Sequence, residues 1–208
     1  MKTTWMTTMM LVSGAVAYGQ SAGAAAERKV TVCVEGRDAS QTPGATLMAE
    51  RTASKIFAGI GVTIEWRIGF NKCAERSLRV SLTFDTPTDL KPEALAYALP
   101  YEGTHIRVFY DRIVRGQRYA GLVSPVLAHV LVHEITHILQ GMSRHSDRGI
   151  MKARWSPEEL LHMSWKPMEF TEHDVILIHA GLARRASNAA AVGNADSREA
   201  AVAIEASR

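Results

Sequence analysis

A twenty-residue apolar segment, Gly121 to Gln140, constrains this chain more than any other stretch of it. Within it Val123, Val126, Leu127, Val130, Leu131, Glu134, His137 and Ile138 recur at intervals of three and four, the period of a helix laid against a core. Inside the segment stands His133-Glu134-Ile135-Thr136-His137. Residues four apart on a helix share one face a turn apart, so both imidazoles are offered to the same ion. Neutral imidazole at about 2.0–2.1 Å suits zinc, which in a catalytic site takes three protein ligands and one water. Glu134 falls beside that face, where a carboxylate reaches the water as a general base rather than binding the metal. Gly141 stands where a helix ends in a left-handed residue.

The rest of the chain supplies a sheet for this helix. Arg28 to Glu35 alternates with period two and reads as a first strand. A helix over Ala45 to Ala58 follows the Pro43-Gly44 turn, closed by Gly59 and Gly61. Val62 to Ile68, Leu78 to Phe84 and Thr104 to Tyr110 read as further strands. Leu95 to Tyr101 is a shorter one that Pro100 assigns to an edge. After the long helix, Ser156-Pro157-Glu158-Glu159 opens a short helix. Thr171 to Asp174 opens a last one, expected to end near Arg184 and Arg185, whose charges favour a C-terminal dipole. The expected fold is therefore α+β: a mixed, twisted sheet of four to five strands with an edge strand, the long helix packed beneath it, and C-terminal helices.

Three regions follow from composition. Residues 1–26 begin with Lys2, continue through a short apolar run and end in small residues, the order of a secretory signal peptide cleaved between Ala17 and Ala26. The run is short for a membrane span, which needs about 20 apolar residues, so no span is expected after its removal. Residues 27–186 form the one domain, and 187–208 an Ala-rich tail without a core-facing pattern, read as mobile. A formal charge of +3 demands no nucleic acid or anionic membrane. Export to a periplasmic or extracellular compartment makes Cys33 and Cys73 an expected disulfide. Two separate thiols, or a thiolate on the metal, are the other readings.

Two histidines leave a third ligand to be found. His145 lies eight residues after His137, past the glycine, and is the first candidate. Glu158, Glu159, Glu169 and Glu172 downstream, and Asp147, are its rivals. Ser146 to Met151 then form a tight turn that leads to a methionine.

With these residues the sequence resembles the metzincin clan of zinc metallopeptidases, which show His-Glu-x-x-His, a helix-ending glycine, a third histidine and a methionine turn. The matching residues are His133, Glu134, His137, Gly141, His145 and Met151. The clan's steps to the glycine and on to the third histidine are three residues each, and here both are four. The order of elements across residues 28–186 is also similar. The resemblance implies one catalytic zinc on His133, His137 and His145, with Met151 in a turn that floors the site. It further implies a specificity wall near Lys152, Arg154 and Trp155, and a peptide or protein substrate laid along the edge strand.

Those readings make the expected activity that of an exported zinc-dependent endopeptidase with Glu134 as general base. The alternative is a non-catalytic secreted protein that uses zinc as a structural clamp, with a fourth protein ligand closing the site. Nearby residues have plainer readings. His129, one turn before His133, is expected as a partly exposed helix residue, with a role behind the metal ligands or at the substrate as the sharper alternative. Tyr97, Tyr101 and His105 are expected as ordinary strand residues, with a role at the oxyanion as the sharper alternative.

Overall fold

The computed structural model describes residues 28–35, 43–69, 71, 73–91, 93–117 and 120–206. The expected signal segment, 1–26, lies outside them. Five strands form one sheet: β1 Arg28–Glu35, β2 Val62–Ile68, β3 Leu78–Thr83, β4 Ala96–Ala98 and β5 His105–Phe109. Their spatial order is β2-β1-β3-β5-β4, with the first four parallel and β4 antiparallel at the edge. The helices are α1 Pro43–Ala58, α2 Tyr110–Gly116, α3 Val123–Gln140, α4 Pro157–His162 and α5 Glu172–Ala206.

Parallel strands covered on both sides are usually apolar throughout, whereas these alternate. Val30, Val32, Val34, Val62, Ile64, Leu78, Val80, Leu82, Ile106 and Val108 are all buried on one face. Thr31, Glu65, Arg67, Ser81 and Arg107 occupy the other, none of them buried. One helical layer therefore suffices, and in it α3 packs against α1, α5 and the β4 edge.

The periodic stripe predicted for α3 has a different outcome. Every residue from Val126 to Gln140 is buried, including those between the apolar positions. The helix has neighbours on all sides, so it is a core helix rather than a surface one. By length and composition alone it is apolar enough to cross a membrane, yet it lies inside the domain. Gly141 ends it at φ 71° with its N–H on His137 O, as expected of a left-handed terminus.

Two differences from the sequence reading have clear causes. The segment expected as strand through Tyr110 stops at Phe109 and turns directly into α2, a short helix without a side-chain N-cap to announce it. That helix fastens the loop leading to β4. Asp111 accepts from the Thr86 hydroxyl, and Arg112 donates to the carbonyls of Pro87, Leu90, Lys91 and Ala94. Likewise α5 does not end near Arg185 but runs to Ala206, as the high helix propensity of alanine favours. Arg184 and Arg185 serve other partners: Arg184 donates to Gln140 O at 2.8 Å and Arg185 to Gly103 O at 2.8 Å. Residues 186–191 are exposed, consistent with the absence of a core-facing pattern there.

Cys33 and Cys73 form a disulfide, with Cα atoms 6.4 Å apart. Cys33 is fully buried in β1, and the bridge ties the loop after β2 to the sheet. It spans a sequence separation of 40 residues. On the loop-closure model, replacing both cysteines by alanine should lower stability by about 4 kcal/mol. Denaturant midpoints of the variant and the wild type measure this, and equal midpoints would show that the bridge restrains nothing.

Candidate metal centre

Helix α3 presents His133 and His137 one turn apart on its buried surface. The His133 ring donates from Nδ1 to Ile150 O at 2.9 Å, and the His137 ring from Nδ1 to Met142 O at 3.0 Å. A carbonyl only accepts, so in each neutral ring the proton is on Nδ1 and Nε2 carries a lone pair. The two Nε2 atoms face each other 3.0 Å apart. Neither has a proton to give the other, so they do not hydrogen-bond. A shared cation satisfies both, and ligand nitrogens about 3.3 Å apart are what tetrahedral zinc with bonds of about 2.05 Å requires.

His145 completes the group. Its ring lies 5.2 Å from that of His133 and 5.0 Å from that of His137, centroid to centroid. One ligand nitrogen from each of the three falls within 4.8 Å of the others. Burial, with the neighbouring imidazoles adding to it, pushes the pKa of His133 and His137 down to about 4. Burial lowers that of His145 as well. All three are therefore uncharged at neutral pH, the form a metal needs. The donor set fits zinc.

Among the described residues none of the rival carboxylates joins this group. Glu159 closes a capping box with Ser156 and also holds Lys152. Glu158 accepts from Ser156 Oγ, and Glu169 pairs with Lys166. Glu172 is exposed in the first turn of α5, and Asp147 is exposed in the loop. The wider spacing around Gly141 is absorbed by the loop 142–151, where Ser146 N–H donates to Met151 O at 2.7 Å and folds the chain back.

Ile150 and Met151 are fully buried behind the histidines. Their turn is pinned by Ile150 N–H on Glu169 O. Gly149 makes this possible: its φ is +75°, and a Cβ there would sit 2.4 Å from Glu169 O. Gly149→Ala should therefore lose at least about 2 kcal/mol of stability and hold metal less tightly. Thermal unfolding and metal content test this together. Wild-type values in both would mean the turn has room that the structure denies it.

Glu134 is 8% exposed next to His133, and burial pushes its carboxyl pKa up to about 8. Trp155 sets its ring at 85° to that of His133, 5.6 Å away, forming a wall of the site. Arg154 pairs with Glu93, which joins this wall to the loop before β4.

The other aromatic and histidine candidates go elsewhere. Tyr97 stands opposite Arg107 on the outer face of the sheet, with its ring against Phe109. His105 lies on that face too, beside Thr104 and Glu102. Tyr101 is 87% exposed. His129 is not partly exposed but fully buried: its Nδ1 donates to Pro125 O at 2.7 Å and its Nε2 accepts from Met168 N–H at 3.0 Å. It is a strut between α3 and the segment before α5. Sequence reasoning missed Asp174, which is fully buried and accepts from Arg144, Ser146 and Thr171. The signal present was Thr171-x-x-Asp174, read only as the start of a helix.

No protein-family model matches the chain, and no curated protein matches it. Among solved structures, it is similar to the crystal structure of archaemetzincin from Methanopyrus kandleri, with a TM-score of 0.53 and 16% sequence identity. The match covers 74% of this chain and 96% of that one. At that identity the likeness is one of fold, and the fold here is metzincin-like.

Proposed function

We propose that this chain is a zinc-dependent endopeptidase of an oxidising, exported compartment. The observation that carries the reading is the convergence of three uncharged imidazoles, two with their Nε2 lone pairs fixed by carbonyls, beside the buried carboxyl of Glu134. The metzincin-like fold and the sequence motif support it. The Cys33–Cys73 disulfide supports the compartment, as does the expected signal segment.

His133, His137 and His145 would hold the ion, and Met151 would support them from below. Bound zinc supplies a Lewis acid and lowers the pKa of a water towards about 7. Glu134 takes a proton from the attacking water and returns it to the leaving amine, so peptide hydrolysis needs no covalent intermediate. With a cation held by the three imidazoles, the Glu134 carboxyl would return towards its charged form.

Substrate positioning falls to β4. Leu95 O and Leu99 N–H bond to Phe109 and His105 of β5. Ala96 and Ala98 therefore turn their backbone N–H and C=O groups to the free edge of the sheet. An extended peptide adds there as an antiparallel strand, held by main-chain bonds.

The test is metal content followed by cleavage of a peptide library read by mass spectrometry. Wild type should hold one zinc per chain and cut internal peptide bonds, with activity abolished by a chelator and restored by zinc. His145→Ala should lose most of its zinc. A wild type that binds no zinc after reconstitution would end the proposal.

A further inference from the structure

The rings of His133 and His137 are fixed by backbone carbonyls, but among the described residues none hydrogen-bonds the ring of His145. That ligand is also the exposed one, in a stretch, 143–148, of which only Ser146 is buried. Its direction must come from the backbone on either side of it, and both neighbours are held by one group. Ser146 Oγ donates to Asp174 Oδ1 at 2.7 Å, and Arg144 Nη1 donates to the same oxygen at 3.1 Å.

Building on the metal-site reading above, we propose that Asp174 is a positioning residue for the third ligand. From the start of α5 it grips the residues on both sides of His145 and so sets how tightly the site takes a divalent cation.

The carboxylate divides its work between its two oxygens. Oδ2 accepts from Thr171 N–H at 3.2 Å and Thr171 Oγ1 at 2.6 Å, while Asp174 N–H donates back to Thr171 Oγ1 at 3.2 Å. That is a helix cap. Oδ1 serves only the loop. Four bonds fill the accepting capacity of a carboxylate, so the group is anchored to α5 by one oxygen and free to anchor the loop by the other. Asp174 has no exposed surface and Ser146 is buried as well, so water does not compete for the contact between them. Groups that orient a ligand in this way typically contribute about 10–100-fold to metal affinity.

The two arms can be cut separately. Zinc affinity is measured by competition with a chelator, and coordination by the visible spectrum of the cobalt-substituted protein, on the full chain. Ser146→Ala and Asp174→Asn should each weaken zinc binding by about 10–100-fold and alter the cobalt bands. Thr171→Ala removes the hydroxyl from Oδ2 but leaves the Thr171 N–H there and both Oδ1 bonds to the loop, so it should lower the unfolding midpoint yet keep wild-type affinity and spectrum. Ser146→Ala removes one buried hydroxyl and serves even if Asp174→Asn does not fold. Wild-type affinity and spectrum in Ser146→Ala would overturn the proposal. So would a loss in Thr171→Ala as large as in Ser146→Ala, which would assign the effect to helix stability. A wild type that takes no cation would overturn the metal-site reading itself, a distinct outcome.

Discussion

Glu134→Gln should keep one zinc per chain and lose about 10²–10⁴-fold in kcat/KM, the usual contribution of a general base. The amide preserves the shape of the side chain but accepts no proton, and the three imidazoles are untouched. The same variant has a second readout in the metal-free protein. The folded-state pKa of Glu134 is raised from 4.5 to about 8 by burial. Its protonated form therefore favours the fold, fully below about pH 4.5, and that contribution is lost as pH rises through about 8. His133 and His137 act in the opposite sense: their folded pKa is depressed, so their contribution is present above about pH 6.5 and falls away towards about 4. Between pH 6.5 and 8 Glu134 acts without them. Metal-free wild type should lose stability across that window, and Glu134→Gln should be flat there. Denaturant unfolding at stepped pH measures the difference. An active Glu134→Gln enzyme would remove the base from the mechanism, and a flat wild-type curve would mean the carboxyl is better solvated than its burial indicates.

The parts of the site that lie on one helix were legible in the sequence, because a spacing of four on α3 is a local fact. His133 and His137 need nothing but the helix to share a face, and Glu134 nothing more to fall beside it. His145 was legible as the first candidate for the third ligand, but the contact that brings it to the other two was not. Its place depends on a loop closed by Ser146 on Asp174, 28 residues downstream, a contact no local pattern encodes. The strands were legible from their alternation, and in the sheet their apolar positions share one buried face. The exposure of His129 was not legible, because α3 is covered on every side and its apolar stripe does not distinguish a wet face from a dry one. Arg184 and Arg185 looked like charges ending a helix, since nothing local says that carbonyls of Gln140 and Gly103 lie within their reach. Helix α2 escaped because Phe109 passes directly into Tyr110 with no cap or breaker between strand and helix.

Among single substitutions, the largest loss of stability should come from Gly181→Ala. Helix α5 crosses the end of α3 at this residue, and an added Cβ would lie 1.7 Å from Leu139 O and 2.8 Å from Leu139 C. Those atoms belong to the backbone of a buried helix, so no side chain can rotate to make room. The helices must separate, and close packing around α3 spreads the cost. About 3 kcal/mol or more should be lost, at the upper end for an overpacked position. The damage should also reach the metal. Separation pulls Arg184 from Gln140 O and moves Asp174, seven residues earlier on α5, away from Ser146. Gly181→Ala should therefore bind zinc less tightly than wild type even at temperatures where it remains folded. Gly44→Ala is the control, because nothing lies within 4 Å of its Cβ position in α1. There the exchange removes backbone freedom from a helix and should leave stability unchanged or raise it by up to about 1 kcal/mol. Unfolding midpoints and zinc affinity of the two variants, side by side, separate a local helix effect from a crossing effect. If both behave alike, α5 does not meet α3 at Gly181, and Asp174 has no fixed base from which to hold the third ligand.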